Sequence, residues 1–355
     1  MSTKMQRYIT VILSAILIAL IILLIIDTKE LKSLSDSRGR EPEGNNNAIK
    51  IGLSMGTLKE DRWLRDRDIF VARAKALGAD VIVQNANNND EDQVEQVRYL
   101  LSRDIDALVI IPHDRIKSAD AVDAAKKAGV KVIAYDRLVL KSDVDLYVSF
   151  DSQQVGKLMA QALVDKVPYG NYLIINGGIS DNNSTLIKKG YDSVLKPFIE
   201  NGQINIIAEE WAEDWMSEYA FNITEKWLKK GTKIDAILAA NDMLAAGAIR
   251  ALSEYKLSGD VMVTGQDAET TACQRIVDGT QFMTVYKPVD RLAEAAADMA
   301  VKMAKGESIS VSDTIYDGKY NVPCYLLQPI AVNINNLDNT VIKDGFHNYD
   351  EIYGG

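Results

Sequence analysis

The chain has 355 residues, with 40 basic and 50 acidic side chains, a net charge of −10, 2 histidines and 2 cysteines. An acidic balance argues against nucleic acid, which needs clustered basic charge. So few histidines and cysteines offer neither a zinc cluster nor a disulfide framework, so no metal and no cofactor is expected.

The first element is an uncharged run, residues 8–26 (YITVILSAILIALIILLII). A hydrocarbon core of ~30 Å needs about 20 apolar residues in a helix, so this run is long enough to span a bilayer. Lys4 and Arg7 precede it, which predicts a cytoplasmic stretch over residues 1–7 and an outward-facing remainder. A cleaved signal has a shorter apolar core and ends at a small-residue site. DTKELKSLSDS offers no such site, so the run reads as an uncleaved single-pass anchor in the cell membrane. Residues 27–47 are polar, contain Gly39, Pro42 and Gly44, and read as a tether. The first 47 residues hold 6 basic and 5 acidic side chains, which leaves the outer part at −11.

From residue 48 on, short β-branched runs recur: IKIGLS (49–54), ADVIVQ (79–84), DALVIIP (106–112), KVIAYD (131–136) and LYVSFD (146–151). A second series follows, NYLIIN (171–176), INIIAEEW (204–211), DAILAAN (235–241), VMVTGQD (261–267) and FMTVYKP (282–288). Amphipathic stretches such as DEDQVEQVRYLLSR separate most of them. Continuous apolar strands alternating with helices predict an α/β fold with parallel sheets covered on both faces. LYVSFD follows KVIAYD with no helix between, which marks departure from a first lobe near residues 148–155.

Ligands of open parallel sheets bind outside the carboxyl ends of the strands. The residues found there are Arg62–Trp63, Asp136–Arg137, Asp181–Asn182–Asn183, Trp211, Asn241–Asp242, Gln266–Asp267 and Lys287. Each alone reads as a helix cap or a surface turn. Together they suit a polyol: carboxylates accept from hydroxyls, while cations and amides donate to them. Hydrogen bonds with a charged partner contribute about 1.5–3 kcal/mol, and indoles lie flat against sugar C–H faces. NANNNDED (85–92) lacks the spacing of a calcium loop and reads as a polar cap for the next helix. NGG (176–178) is no phosphate-binding loop, and no Ser–His–Asp set has a convincing context, so no catalytic residue is assigned. Cys273 and Cys324 read as free, partly buried thiols, with a single disulfide as the alternative.

From about residue 50 to residue 348 the chain resembles the D-xylose-binding proteins of the type I periplasmic sugar-binding family. RWLRDRDIF (62–70), KVIAYDR (131–137), SFD (149–151), NGGIS (176–180), DNN (181–183), AAND (239–242), GQDA (265–268), MTVYKP (283–288) and TVIKDGFH (340–347) carry the likeness. It implies two Rossmann-like lobes joined by three crossovers and a hinge that closes on the sugar. The first lobe would take residues 48–152 with 288–306 returning to it. The second would take 153–287 with 307–348, before a tail at 349–355. Sugar contacts would fall on Arg62, Trp63, Asp136, Arg137, Asp181, Asn183, Trp211, Asn241, Asp267 and Lys287. In these roles Trp63 and Trp211 sandwich the ring, and Asp136, Asp181 and Asp267 accept. Arg62, Arg137, Asn183, Asn241 and Lys287 donate, and the neighbours Asp136 and Arg137 hold one another. With its apolar N-terminus the chain looks most like a Gram-positive sensor version that works beside a LytS-type sensor histidine kinase. The alternative is the substrate-binding protein of a xylose ABC permease, and a sugar-modifying enzyme is a distant third. A repressor of the same fold would need a DNA-binding N-terminus, where this chain has its apolar run.

Overall fold

In the computed structural model, which describes residues 48–354, strands and helices alternate from the first element. The first series is β1 (Ile49–Met55), α1 (Asp61–Ala76), β2 (Ala79–Asn85), α2 (Asp90–Leu101), β3 (Ala107–Ile111), α3 (Ala119–Lys127), β4 (Lys131–Tyr135) and β5 (Leu146–Phe150). After it come α4 (Ser152–Lys166), β6 (Gly170–Asn176), α5 (Asn182–Glu200), β7 (Ile204–Trp211), α6 (Ser217–Lys229), β8 (Ala236–Ala239) and α7 (Asp242–Glu254). The chain continues through β9 (Met262–Val263), α8 (Thr270–Val277), β10 (Thr284–Tyr286), α9 (Val289–Ala304), β11 (Asp313–Tyr316), β12 (Asn321–Leu327), β13 (Ile330–Val332) and α10 (Tyr349–Tyr353).

Seven strands form the first sheet in the order β11-β12-β5-β4-β3-β1-β2, all parallel except the antiparallel edge strand β11. The second sheet, β7-β6-β8-β9, is wholly parallel, and β10 and β13 form a separate antiparallel pair. Every residue of β3 is buried, as expected for a strand with helices on both faces. The two-residue period splits the first sheet cleanly. Leu53, Val109, Ile111 and Ile133 join a cluster with Phe70 of α1 and Ala293 and Ala297 of α9. Leu108, Ile110, Val132 and Ala134 join Val97 and Leu100 of α2 and Val122 of α3 on the other face. A third cluster centres on β6 and β8 of the second sheet.

The chain passes between the halves three times: after β5, between β10 and α9, and between β12 and β13. One boundary differs from the sequence reading. Residues 307–348 were expected in the second lobe, yet β11 and β12 extend the first sheet, where Cys324 pairs with Tyr147 and Leu327 with Phe150. Cys273 and Cys324 are buried, unpaired thiols in separate clusters. The Asn89 side chain accepts from the Asp92 N–H at 3.0 Å and so caps α2, the role read for NANNNDED. The expected anchor at 8–26 and tether at 27–47 lie outside the described residues. Among the described residues no helix is long and apolar enough to cross a membrane.

Candidate functional site

The carboxyl ends of both parallel sheets face one narrow cavity. It is lined by Glu60, Arg62 and Trp63 after β1, Asp136 and Arg137 after β4, and Ser152 after β5. The second half adds Asp181 and Asn183 after β6, Trp215 after β7, Asn241 after β8 and Gln266 and Asp267 after β9, and Lys287 follows β10. Nine of the expected site residues therefore meet here, and Trp211 does not. It ends β7, paired with Asn176, and the indole in the cavity is that of Trp215, four residues on.

A short 3₁₀ turn, Glu213–Trp215, makes the difference. Asp214 and Trp215 take left-handed φ angles of 48° and 59°, which swing the second indole into the cleft. Gly177 admits it, because a Cβ there would stand 2.2 Å from the Trp215 ring. The NGG stretch thus serves as a seat for an indole.

Charged groups interlock across the cavity. Arg62 Nη2 donates to Asp136 Oδ2 at 2.7 Å, and Arg62 Nη1 lies 3.6 Å from Asp267 Oδ1. Lys287 Nζ sits 2.7 Å from the same Asp267 oxygen. Arg137 Nε lies 2.8 Å from Asp181 Oδ2, linking the two halves. Asp136 and Arg137 therefore do not hold one another as the sequence suggested: adjacent side chains diverge, and each finds another partner. Asp136 itself has φ 60° and Asp267 φ 97°, conformations that cost of order 1–3 kcal/mol for a non-glycine residue and are common at ligand sites.

Supporting bonds orient these groups. Glu60 Oε2 accepts from Trp63 Nε1 at 2.6 Å, and the Arg62 guanidinium stacks 4.3 Å from the centre of that ring. Asn183 donates to the Asp136 carbonyl at 3.0 Å, which also accepts from the Tyr147 and Ser149 hydroxyls. Asp181 accepts from the Asn183 N–H and Asn241 from the Leu244 N–H. These two are helix caps and cavity residues at once. Burial alone would push the Asp136 carboxyl up, but Arg62, Lys287 and Arg137 hold it below the usual range. For Asp181 burial outweighs Arg137 and its carboxyl is raised.

Behind the cavity, Asp242 is fully buried. Its carboxylate accepts from Gln281 at 2.7 Å, Thr284 at 2.9 Å and the Glu269 N–H at 3.0 Å, while its own N–H donates to the Gln266 carbonyl. Burial pushes the Asp242 pKa up to about 7.

A family profile described as a periplasmic binding protein domain matches residues 51–308. The chain belongs to the type I periplasmic binding protein family. It is 47% identical over 306 residues to the D-xylose-binding periplasmic protein of Haemophilus influenzae, covering 86% of this chain and 92% of that one. To the Escherichia coli protein of the same description it is 46% identical over 305 residues, with the same coverage. A carbohydrate transporter solute binding protein from Chloroflexus aurantiacus, solved in complex with D-glucose, superposes with a TM-score of 0.80 at 33% identity. That match covers 85% of this chain and 97% of the other.

As an extracytoplasmic binding protein, this chain needs the cavity to recognise and not to react. Four cavity residues escaped the sequence reading. Gln266 is a strand-end group, but the resemblance places the sugar contact on its neighbour Asp267. Glu60 and Ser152 look like ordinary helix-start residues, and Trp215 depends on a turn that propensity does not reveal. The cavity leaves about 30 Å³ for the centres of water-sized spheres, where ~10–15 Å³ on that measure holds one water.

Proposed function

We propose that this binding protein takes D-xylose between its halves and delivers it to an ABC-type membrane permease. One observation carries the cavity's role. Trp215 Nε1 is buried, belongs to a residue lining the cavity, and finds no hydrogen-bond partner among the described residues, while the carboxylates and cations around it form ion pairs with one another. Buried polar atoms are nearly always satisfied, so an unpaired indole N–H among charged groups that can exchange partners suits a hydroxylated ring. The indoles of Trp63 and Trp215 supply the apolar faces, and Arg62, Asn183, Asn241 and Lys287 complete the donors. The choice of D-xylose rests on the two relatives described by that sugar.

Delivery to a permease is favoured over kinase sensing by the transporter description of the superposed relative. The kinase pairing rests on the apolar run at 8–26 alone. Calorimetry of the full chain should show saturable D-xylose binding that outcompetes D-glucose, and no heat with D-xylose would end the proposal. Cells lacking the chain should lose xylose uptake. Intact uptake with lost xylose-induced transcription would restore the sensor reading.

A further inference from the structure

Away from the cavity, one short segment of the first half grips two segments of the second. It is the loop after β3, residues 113–115. The His113 backbone N–H donates to Gln93 Oε1 at 3.0 Å, and His113 Nδ1 lies 2.7 Å from Asp90 Oδ1, which fixes the ring to α2. Lys117 holds the other Asp90 oxygen at 2.8 Å. The free edge of the ring, Nε2, is buried and stands 3.6 Å from Asp214 Oδ1 of the second half. Asp214 is the residue before Trp215.

Arg115 reaches the other segment. Its carbonyl accepts from the Leu140 N–H at 2.7 Å, anchoring it in the first half. Its N–H donates to the Ser180 carbonyl at 2.8 Å, and its guanidinium Nη1 donates to Thr185 Oγ1 at 2.7 Å. Ser180 and Thr185 flank Asp181 and Asn183. Asp114 Oδ1 accepts from the Ile116 and Lys117 N–H groups and sets the turn between the two grips. None of residues 113–115, 180, 185 and 214 lines the cavity.

We propose that His113 and Arg115 form a rim strap that sets how long a sugar stays. They are positioning residues: they hold, from outside, the segments that present Asp181, Asn183 and Trp215. The inference rests on the sugar-binding reading. Contacts between the halves exist only when the halves are together, so they slow opening without touching the open form that a sugar first meets. Losing them raises the dissociation rate and spares the association rate.

The test is stopped-flow fluorescence of the full chain with D-xylose. The double variant H113Q/R115A should release xylose about tenfold faster, with the association rate within about twofold of wild type. Thr185→Val removes the Arg115 acceptor from the opposite half with little change of shape and should raise the dissociation rate by itself. Adding R115A to T185V should change the rate less than additively, because the two share one contact. Should the double variant not fold, T185V decides alone. Wild-type dissociation rates in folded variants that still bind xylose overturn the strap, as does an effect confined to association. A wild-type chain that does not bind xylose overturns the sugar reading itself, a separate outcome.

Discussion

Trp215 occupies the cavity because Gly177 has no side chain, and this makes the pair a sharp residue-scale test. Trp215→Ala removes the only second-half indole at the cavity and should weaken xylose binding at least about tenfold, or ~1.4 kcal/mol. Trp211→Ala, at the end of β7, should leave affinity within about threefold by calorimetry, a change worth under ~1 kcal/mol. Gly177→Ala should mimic the Trp215 loss. The reason Trp211 looked right from sequence is local: it closes the apolar run INIIAEEW, and nothing in EDW announces two consecutive left-handed residues. Asp267 offers a second test. It is the shared anion of Lys287 and Arg62, and removing one partner of a buried pair costs about 3–5 kcal/mol. Asp267→Asn keeps a residue that tolerates φ 97° and so isolates charge. Its melting temperature should fall without sugar and its xylose affinity should drop. Asp267→Ala should be less stable still, since it adds backbone strain.

At the scale of elements, Asp242 ties the start of α7 to the loop ahead of α8, where Asp267 and Ala268 hold left-handed conformations. Its folded pKa of about 7 lies above the ordinary carboxylate value of 3.8. A raised carboxyl contributes stability fully below its unfolded pKa and loses it as pH rises through the folded value. Melting temperature of the wild type should therefore decline between pH 5 and pH 8. Asp242→Asn, though weaker from a mismatched Gln281 contact, should show a flatter profile over that range; equal slopes would count against Asp242. Elements of this kind were partly legible in the sequence. The alternation of β1 to β5 with helices was plain, because fully buried parallel strands are unbroken apolar runs. The strand-end groups followed, since position after a strand is a local fact. The sheet membership of β11 and β12 was not legible, because DTIY and NVPCYLL are half-exposed and strand pairing is decided by distant partners.

For the whole molecule, the three passages between halves decide how it unfolds. β11 and β12 return to the first sheet after the second is built. One core cluster then combines first-sheet residues with Cys273 and Ile276 of α8 and with Leu337, Val341 and Ile352 near the C-terminus. Each half also has a cluster of its own, but the shared cluster and the three passages couple them, so the described part should melt in one cooperative transition. A ligand that binds only the folded form stabilises it by RT ln(1 + [L]/Kd), about 2.7 kcal/mol at a hundredfold excess over Kd. In a chain of this size that corresponds to a rise of about 4 °C or more. Calorimetric melting of the full chain with saturating D-xylose should therefore move the whole transition upward as a unit. Two separated transitions, with only one responding to xylose, would mean that the halves fold independently. The cavity contacts would then be made between bodies that the interleaved chain does not couple, and closure on the sugar would need another source of cooperation.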